Sequence, residues 1–164
     1  MFKVGDSIFY PMHGAGKIKS LEEKDFTGKK QPYYTIQMLI GDLKVMIPKR
    51  KIAKTMIRPV KELCDVKKIA SSIKEQATEN KLPWKQRYKA NMDKIKSGRL
   101  EDSAEVIHAL LQMQKESKLN SSERSMLISA QEFLMSELKL IDGMNKYKKE
   151  QFLLTLSDDN ASAP

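Results

Sequence analysis

Apolar residues recur with one period before residue 60 and with another after it, so the chain falls into two unlike parts. In the first part, short runs rich in β-branched and aromatic residues alternate with turns, as in strands. The predicted strands are Ser7 to Tyr10, Lys17 to Glu22, Tyr33 to Ile40, Leu43 to Ile47 and Met56 to Arg58. Gly41-Asp42 predicts a two-residue hairpin turn with glycine first. Five short strands within residues 1–60 predict a small, bent Tudor-like or SH3-like β domain, because a sandwich needs more strands.

Beyond Pro59 the apolar residues recur with the 3.6-residue period of helices, which predicts an all-α bundle of four to five helices over residues 61–156. The predicted helices are 61–78, one from Pro83 to Ser97-Gly98, 101–117, one opened by a capping box of Asn120 and Glu123 and ended by Asp142-Gly143, and a short fifth at 144–156. Residues 157–164 are expected to form a disordered tail. The junction has no long Gly/Ser linker, so we expect limited motion between the two domains.

The net charge and its distribution along the chain indicate the class of partner. The 164 residues carry a formal net charge of +9, which favours a polyanionic partner. Residues 1–60 hold 12 Lys+Arg against 5 Asp+Glu, whereas residues 61–164 hold 18 against 16. Within that nearly neutral second part, positions 81–99 contain seven cationic residues and one acid, Asp93. The positive charge of the helical part is therefore concentrated in one segment.

The only tryptophan of the chain, Trp84, lies in that basic segment. On a helix that begins at Pro83, its side chain would lie next to the stripe that carries Lys85 and Lys89. Two interpretations of the indole are open. It either begins the apolar stripe that packs in the helical core, or it contacts a nucleobase while the cations hold the flanking phosphates. The concentration of charge around Trp84 favours the second interpretation.

Residue types that carry chemistry are few. The single cysteine, Cys64, cannot form an internal disulfide or a cysteine-based zinc site, and its apolar neighbours predict a buried, inert thiol. His13 lies in a glycine-containing loop and His108 beside apolar residues, so both are predicted to be structural. We expect a protein without catalytic residues, metal or cofactor. The chain also has no apolar run of membrane-spanning length and no signal-peptide segment, so a cytoplasmic protein is expected.

Two groups of residues resemble the CarD/CdnL family of bacterial transcription factors. Phe2–Asp6 with Tyr10–Gly16, Tyr33-Tyr34 and Ile47-Pro48 resembles the RNA-polymerase-interacting domain that this family shares with transcription-repair coupling factors. A second group resembles the helical domain of the family. It consists of Trp84–Asn91, Ser97-Gly98 and Leu119–Leu127. Because coupling factors lack this helical domain, the second group makes the resemblance specific. Together the two groups cover roughly residues 1–142.

The resemblance implies that the helical domain contacts promoter DNA just upstream of the −10 element. There the residue matching Trp84 would enter the minor groove at the upstream fork of the bubble. Nearby basic residues are expected to hold the DNA backbone, and they are Lys85, Arg87, Lys89, Lys96 and Arg124. A wedge at this position opposes the closing of an unstacked base step, so the protein would slow bubble closure and stabilise the open complex.

The same resemblance implies that the β domain binds the β subunit of RNA polymerase. The expected contact residues are Lys24, Phe26, Lys44 and Met46. Met46 departs from the family, which often has a basic residue there, and Lys44 would supply the charge from the same strand face. The protein is expected to act as a monomer and to associate with the nucleoid through the polymerase. Two alternatives stay open: a general nucleic-acid-binding module, and an elongation or repair-coupling adaptor of RNA polymerase.

Overall fold

The N-terminal part of the chain forms a five-stranded antiparallel sheet in a computed structural model that describes residues 2–74 and 82–157. The strands are β1 (Ser7–Tyr10), β2 (Gly14–Asp25), β3 (Lys30–Met38), β4 (Lys44–Pro48) and β5 (Arg58–Pro59). Their order across the sheet is β4-β3-β2-β1-β5. The helical part follows, so the predicted class, a small β domain followed by an all-α bundle, is confirmed.

One face of the sheet is apolar because the strands alternate as the sequence predicts. Tyr34, Ile36 and Met38 of β3 are buried, and Ile18 of β2 lies directly opposite Ile36. Lys19 is an extra residue in β2, because Ile18 pairs with Ile36 while Ser20 already pairs with Thr35. This bulge shifts the inward positions of β2 by one and strengthens the bend of the sheet. The inward residues form the core of the β domain, namely Ile8, Ile18, Tyr34, Ile36, Met38, Ile47 and Ile57.

Two local predictions for the β domain are wrong. The β3–β4 connection is a four-residue loop, 39–42, rather than a two-residue turn, because the Met38 N–H donates to the Leu43 carbonyl at 2.8 Å. Both Gly41 and Asp42 have positive φ there, and the positive φ of Gly41 suits glycine. The segment Lys49–Thr55, for which no structure was predicted, forms a 3-10 helix before β5. β2 also continues to Asp25, three residues beyond its predicted end.

The helical part contains α1 (Leu63–Lys74), α2 (Trp84–Lys96), α3 (Leu100–Glu116), α4 (Ser121–Leu140) and α5 (Lys146–Ser157). The predicted end of the first helix at residues 75–81 and most of the predicted tail, 158–164, lie outside the described residues. Ser157, placed in the tail by the sequence, is the last residue of α5. The helical core is built from the apolar stripes of all five helices, including Ile69, Ile95, Leu110, Leu134 and Leu156.

The capping box at the start of α4 is confirmed in modified form. The Asn120 side chain accepts a hydrogen bond from the Glu123 N–H at 2.8 Å, so an N-terminal donor of the helix is satisfied. The Glu123 carboxylate does not return to the Asn120 N–H as in the usual box. It accepts instead from the Asn120 amide nitrogen at 3.0 Å and from an arginine of α2.

The predictions for the two histidines and the cysteine had mixed outcomes. His108 is buried, and its Nδ1 lies 2.7 Å from the Leu156 carbonyl oxygen, so its structural role is confirmed. His13 is exposed and its ring packs against Tyr10 at 4.3 Å between centroids, as expected of a loop residue. The prediction for Cys64 is wrong, because its thiol is exposed. Val66 and Ile69 define the buried stripe of α1, and position 64 lies well off it at 100° per residue.

The two domains meet where α4 packs against the face of the sheet opposite the β core. Phe9 and Ala15 are buried there without belonging to either core cluster, and the Ala15 N–H donates to the Ser136 hydroxyl at 2.9 Å. Gly14 permits this contact, since a Cβ on it would lie 2.9 Å from that hydroxyl and its φ is +92°. The domains are therefore in close contact through specific polar and apolar groups.

Candidate nucleic-acid and polymerase interfaces

Trp84 is the first residue of α2, and Pro83 directly precedes it. The proline fixes an extended entry into the helix, with φ −55° and ψ 147°, and brings no unpaired N–H to the first turn. The indole is 47% exposed, whereas Asn91 and Ile95, further along the same predicted stripe, are buried. The stripe therefore enters the core only at its later turns. The interpretation of Trp84 as a core residue predicts a buried ring, which is not what the structure has.

Two of the predicted DNA-binding lysines share the exposed end of α2 with Trp84. The Lys85 Nζ lies 6.0 Å from the centroid of the Trp84 ring, at the limit of a cation–π contact. Lys89 is 81% exposed, and its Nζ is 3.6 Å from the Asp93 carboxylate in an exposed pair one turn on. Exposed pairs of this kind are weak and salt-screened, so Lys89 is free to exchange Asp93 for another anion. The result is a flat aromatic surface bordered by mobile cations.

Arg87 differs from these lysines because its guanidinium lies against Glu123 of α4. Its Nη2 is 2.5 Å from Glu123 Oε1 and its Nε 3.4 Å from Oε2, and the two side chains are 16% and 1% exposed. The Arg87 Nη1 also donates to the Leu82 carbonyl at 3.2 Å. Arg87 was predicted to face DNA, but its charge is occupied by a buried carboxylate. It ties the segment that precedes Trp84 to the start of α4.

The other two predicted DNA-binding residues lie at different distances from Trp84. Arg124 follows Glu123 in the first turn of α4, so the contact between Glu123 and α2 brings it near the start of α2. It is exposed and donates to the Leu119 carbonyl at 3.1 Å. Lys96 is also exposed, but it is at the opposite end of α2, roughly 18 Å along the helix axis from Trp84. The structure places Lys85 and Lys89 on the same half of α2 as Trp84, puts Arg124 on the neighbouring helix α4, and leaves Lys96 apart.

The predicted polymerase-binding residues share the outer face of the sheet, opposite the β core. Lys24 pairs with Gln31, Met46 with Thr35 and Lys44 with Gln37, and these three partners alternate along β3 on one side. From Gln31 to Gln37 this row spans roughly 20 Å. Phe26, in the loop after β2, is 61% exposed and contacts Tyr33 edge-on at 5.1 Å between ring centroids. We call this row of Lys24, Phe26, Lys44 and Met46 the outer-face row.

The sequence reasoning did not identify the partners that hold these surfaces in place, although it contained a signal for them. Glu137 lies three residues after Leu134 and next to Leu138, so a carboxylate interrupts the apolar stripe of α4. A buried carboxylate requires a cation or several donors. The structure supplies Arg58 to Glu137 and Arg87 to Glu123. The acids were visible in the sequence, but their partners are 79 and 36 positions away and could not be chosen from spacing.

Within residues 2–74 and 82–157, no group of three His, Cys, Asp or Glu side chains is arranged to hold a metal ion. No helix in these ranges has the length and apolar character needed to cross a bilayer.

Two family models match successive parts of the chain. Residues 2–61 match the CarD-like/TRCF RID domain, and residues 68–154 match the CarD C-terminal domain. The protein named "Putative transcription factor YdeB" from Bacillus subtilis (strain 168) is 48% identical over 152 residues, which are 93% of this chain and 99% of that protein. The chain therefore belongs to the CarD family of transcription factors, as its motifs indicate.

A solved structure is also similar to the N-terminal part. It is the solution NMR structure of the 72-residue N-terminal domain of Myxococcus xanthus CarD, 25% identical in sequence. The similarity covers 36% of this chain and 79% of that domain, with a TM-score of 0.31.

Proposed function

We propose that this protein regulates transcription initiation by binding RNA polymerase through its β domain and promoter DNA through the Trp84 end of its helical domain. The polymerase β subunit would bind the outer-face row, and the DNA contact would lie in the minor groove at the upstream fork of the bubble. By holding the fork open, the protein would lengthen the lifetime of the open complex.

The half-exposed indole of Trp84 is the observation that carries this proposal. An aromatic ring of this size is normally covered, and here the buried stripe of its own helix begins only later. Apolar side chains that enter the minor groove unstack a base step at a cost of a few kcal/mol. A ring that remains in the opened step raises the free energy needed to restack it, so closing of the bubble slows. This role needs shape rather than base recognition.

The lysines supply the affinity that a wedge alone lacks. Lys85 lies beside the Trp84 ring, Lys89 lies one turn further along α2, and Arg124 is in the first turn of α4; all three are exposed. Cations near phosphates release condensed counterions, which gives salt-dependent and sequence-independent binding. Lys96 would add a contact further along the backbone. We assign Arg87 a supporting role, because its guanidinium is engaged by Glu123.

The mixture of exposed apolar and cationic groups on the β domain supports the proposal that this surface binds a protein. Phe26 and Met46 are 61% and 38% exposed and lie on the same sheet face as Lys24 and Lys44. Exposed large apolar side chains grouped with charges are typical of protein interfaces. Lys24 forms a pair with the exposed Glu22 at 3.2 Å, and exposed pairs of this kind are weak, so its charge is available to an acidic partner.

The decisive experiment compares Trp84→Ala with Tyr147→Ala on a promoter whose open complex is stabilised by the wild type. Tyr147 is 68% exposed on α5 and serves as a matched aromatic control. We expect Trp84→Ala to shorten the open-complex lifetime to nearly the value without the protein, and Tyr147→Ala to leave it unchanged. Equal lifetimes for Trp84→Ala and the wild type would rule out the wedge.

Polymerase binding is measured on the same variants by pull-down after nuclease treatment. Trp84→Ala is expected to retain polymerase as the wild type does, because the outer-face row is unchanged. A wild type that fails to retain polymerase once nucleic acid is digested would favour the alternative of a general nucleic-acid-binding module. A wild type that binds polymerase but leaves the open complex unaffected would favour an elongation or repair-coupling adaptor.

A further inference from the structure

Arg58 of β5 lies at the junction of the two domains and contacts both. Its Nη1 and Nη2 donate to the two carboxylate oxygens of Glu137 at 2.6 and 2.7 Å. Its Nε donates to the Gly98 carbonyl at 2.8 Å, and Nη1 also reaches the Pro59 carbonyl at 3.0 Å. The guanidinium carbon lies 4.6 Å from the centre of the Phe9 ring. A single side chain thus joins a strand of the β domain to two elements of the helical domain.

The acceptor of this arginine is a carboxylate with no exposure to water. Glu137 is 0% exposed, and its Oε2 also accepts from the Lys61 N–H at 2.8 Å. A planar, forked guanidinium can meet both carboxylate oxygens and a third acceptor at once, which a lysine ammonium cannot do in one plane. The joint therefore requires arginine specifically, and it fixes the angle as well as the distance between β5 and α4.

The Gly98 contact extends this joint to the helix that carries Trp84. Gly98 follows the last turn of α2 with φ +73°, and its N–H bonds to the Ile95 carbonyl at 3.2 Å. A Cβ at Gly98 would lie 2.5 Å from Pro11 Cγ, so the β1–β2 loop rests directly on the end of this helix. The far end of α2 is thereby attached to the β domain by Arg58 and Pro11. The near end, with Trp84, projects from this attachment.

We propose that Arg58 is a positioning residue that fixes Trp84 relative to the outer-face row of the β domain. This inference rests on the proposed function. A protein that bridges polymerase and DNA can place a wedge at the fork only if the two contacts are held at a fixed separation. Binding to polymerase then raises the effective concentration of Trp84 at one position on the DNA. A loose joint would keep both contacts and lose that placement.

The geometry of the joint can be tested without polymerase or DNA. Spin labels at Lys29→Cys, beside β3, and Ala90→Cys, on α2, report the distance between the domains in a Cys64→Ser background, which removes the sole cysteine. Both labelled positions are exposed. We expect a narrow distance distribution in the protein with Arg58 and a broader one after Arg58→Lys or Glu137→Gln. Arg50→Gln removes an exposed arginine of the β domain and is expected to leave the distribution unchanged.

The functional consequence is measured with Arg58→Lys, which retains the charge and whose fold is checked by circular dichroism. We expect it to retain polymerase in the pull-down and to bind upstream-fork DNA with wild-type affinity. Its open-complex lifetime is expected to fall towards that of Trp84→Ala. A wild-type lifetime, or an unbroadened distance distribution in both joint variants, would overturn the inference. Loss of the wild-type effect itself would instead overturn the proposed function, so the two failures are distinguishable.

Discussion

The two buried Arg–Glu pairs of α4 resemble each other in chemistry and differ in what they connect. Arg58–Glu137 joins the domains, whereas Arg87–Glu123 joins two helices of one domain. Their acids are 14 residues apart on the same helix, roughly 21 Å along its axis. One pair holds the end of the Trp84 helix near Gly98, and the other holds its beginning near Leu82. Through the two arginines, both ends of α2 are linked to α4.

The geometry of the two pairs indicates different strengths. Arg58 meets both oxygens of Glu137 within 2.7 Å, but Arg87 makes one close contact and one of 3.4 Å with Glu123. Short bidentate contacts between a guanidinium and a carboxylate are stronger and more directional than contacts with a single short hydrogen bond. The Arg58–Glu137 contact is therefore the more directional of the two.

Glu137→Ala is expected to have the largest effect on stability. It leaves the Arg58 guanidinium, 20% exposed, without its counter-charge, which typically costs about 3–5 kcal/mol. Urea unfolding measures the loss, and Glu22→Ala, in the exposed pair with Lys24, is the control with an expected change below about 1 kcal/mol. A loss as small as that of the control would mean that the domain joint contributes no more than a surface pair.

Arg87→Gln is expected to have an intermediate effect, about 1–3 kcal/mol in the free energy of unfolding, because glutamine can still donate one hydrogen bond to Glu123. Acrylamide quenching of Trp84, the only tryptophan, is expected to increase because the preceding segment is less restrained.

The same variant tests whether Arg87 contacts phosphate. In Arg87→Gln, the dependence of DNA affinity on salt concentration is expected to match that of the wild type. In Lys89→Gln, the slope of log affinity against log salt concentration is expected to fall in magnitude by about one. An equal fall of this slope in both variants would show that Arg87 also contacts DNA phosphates.

Asp93→Asn is expected to have the smallest effect. Its pair with Lys89 is exposed on both sides, so the free energy of unfolding is expected to change by no more than about 0.5 kcal/mol. DNA affinity at low salt is expected to rise slightly, since an acid beside the cations is removed. A stability loss comparable to that of Arg87→Gln would show that exposure alone does not separate weak from strong pairs here.

The sequence predicted local structure best where one residue type has one backbone role. Pro83 before α2, Gly98 after it and Asn120 before α4 all lie at the predicted helix boundaries to within one residue. Alternation along β3 places Tyr34, Ile36 and Met38 on one side of the strand, and all three are buried. The β3–β4 turn was wrong because Gly41-Asp42 fits both two-residue and four-residue loops, and only the pairing of Met38 with Leu43 decides between them.

Contacts between residues far apart in the sequence could not be predicted, and this limited the prediction of the candidate site. Lys85, Lys89 and Trp84 are close in sequence, so their proximity followed from helical spacing. Arg87 carries the same charge in the same segment, and nothing within four residues of it reveals the buried acid on α4. The prediction for Cys64 failed for a related reason: Leu63 and Ile69 nearby suggested an apolar face, but burial of a helix position is decided by the element packed against it.

The bulge at Lys19 divides β2 into two reading frames. Before it, the odd-numbered positions point outward, and Ala15 among them is buried beneath α4; after it, the even-numbered positions do so, and Lys24 belongs to the outer-face row. Loss of one residue at this point would act on the strand as a frameshift acts on a gene, turning every later side chain to the opposite face. The number of residues in β2 is therefore as important to its outward face as their identity.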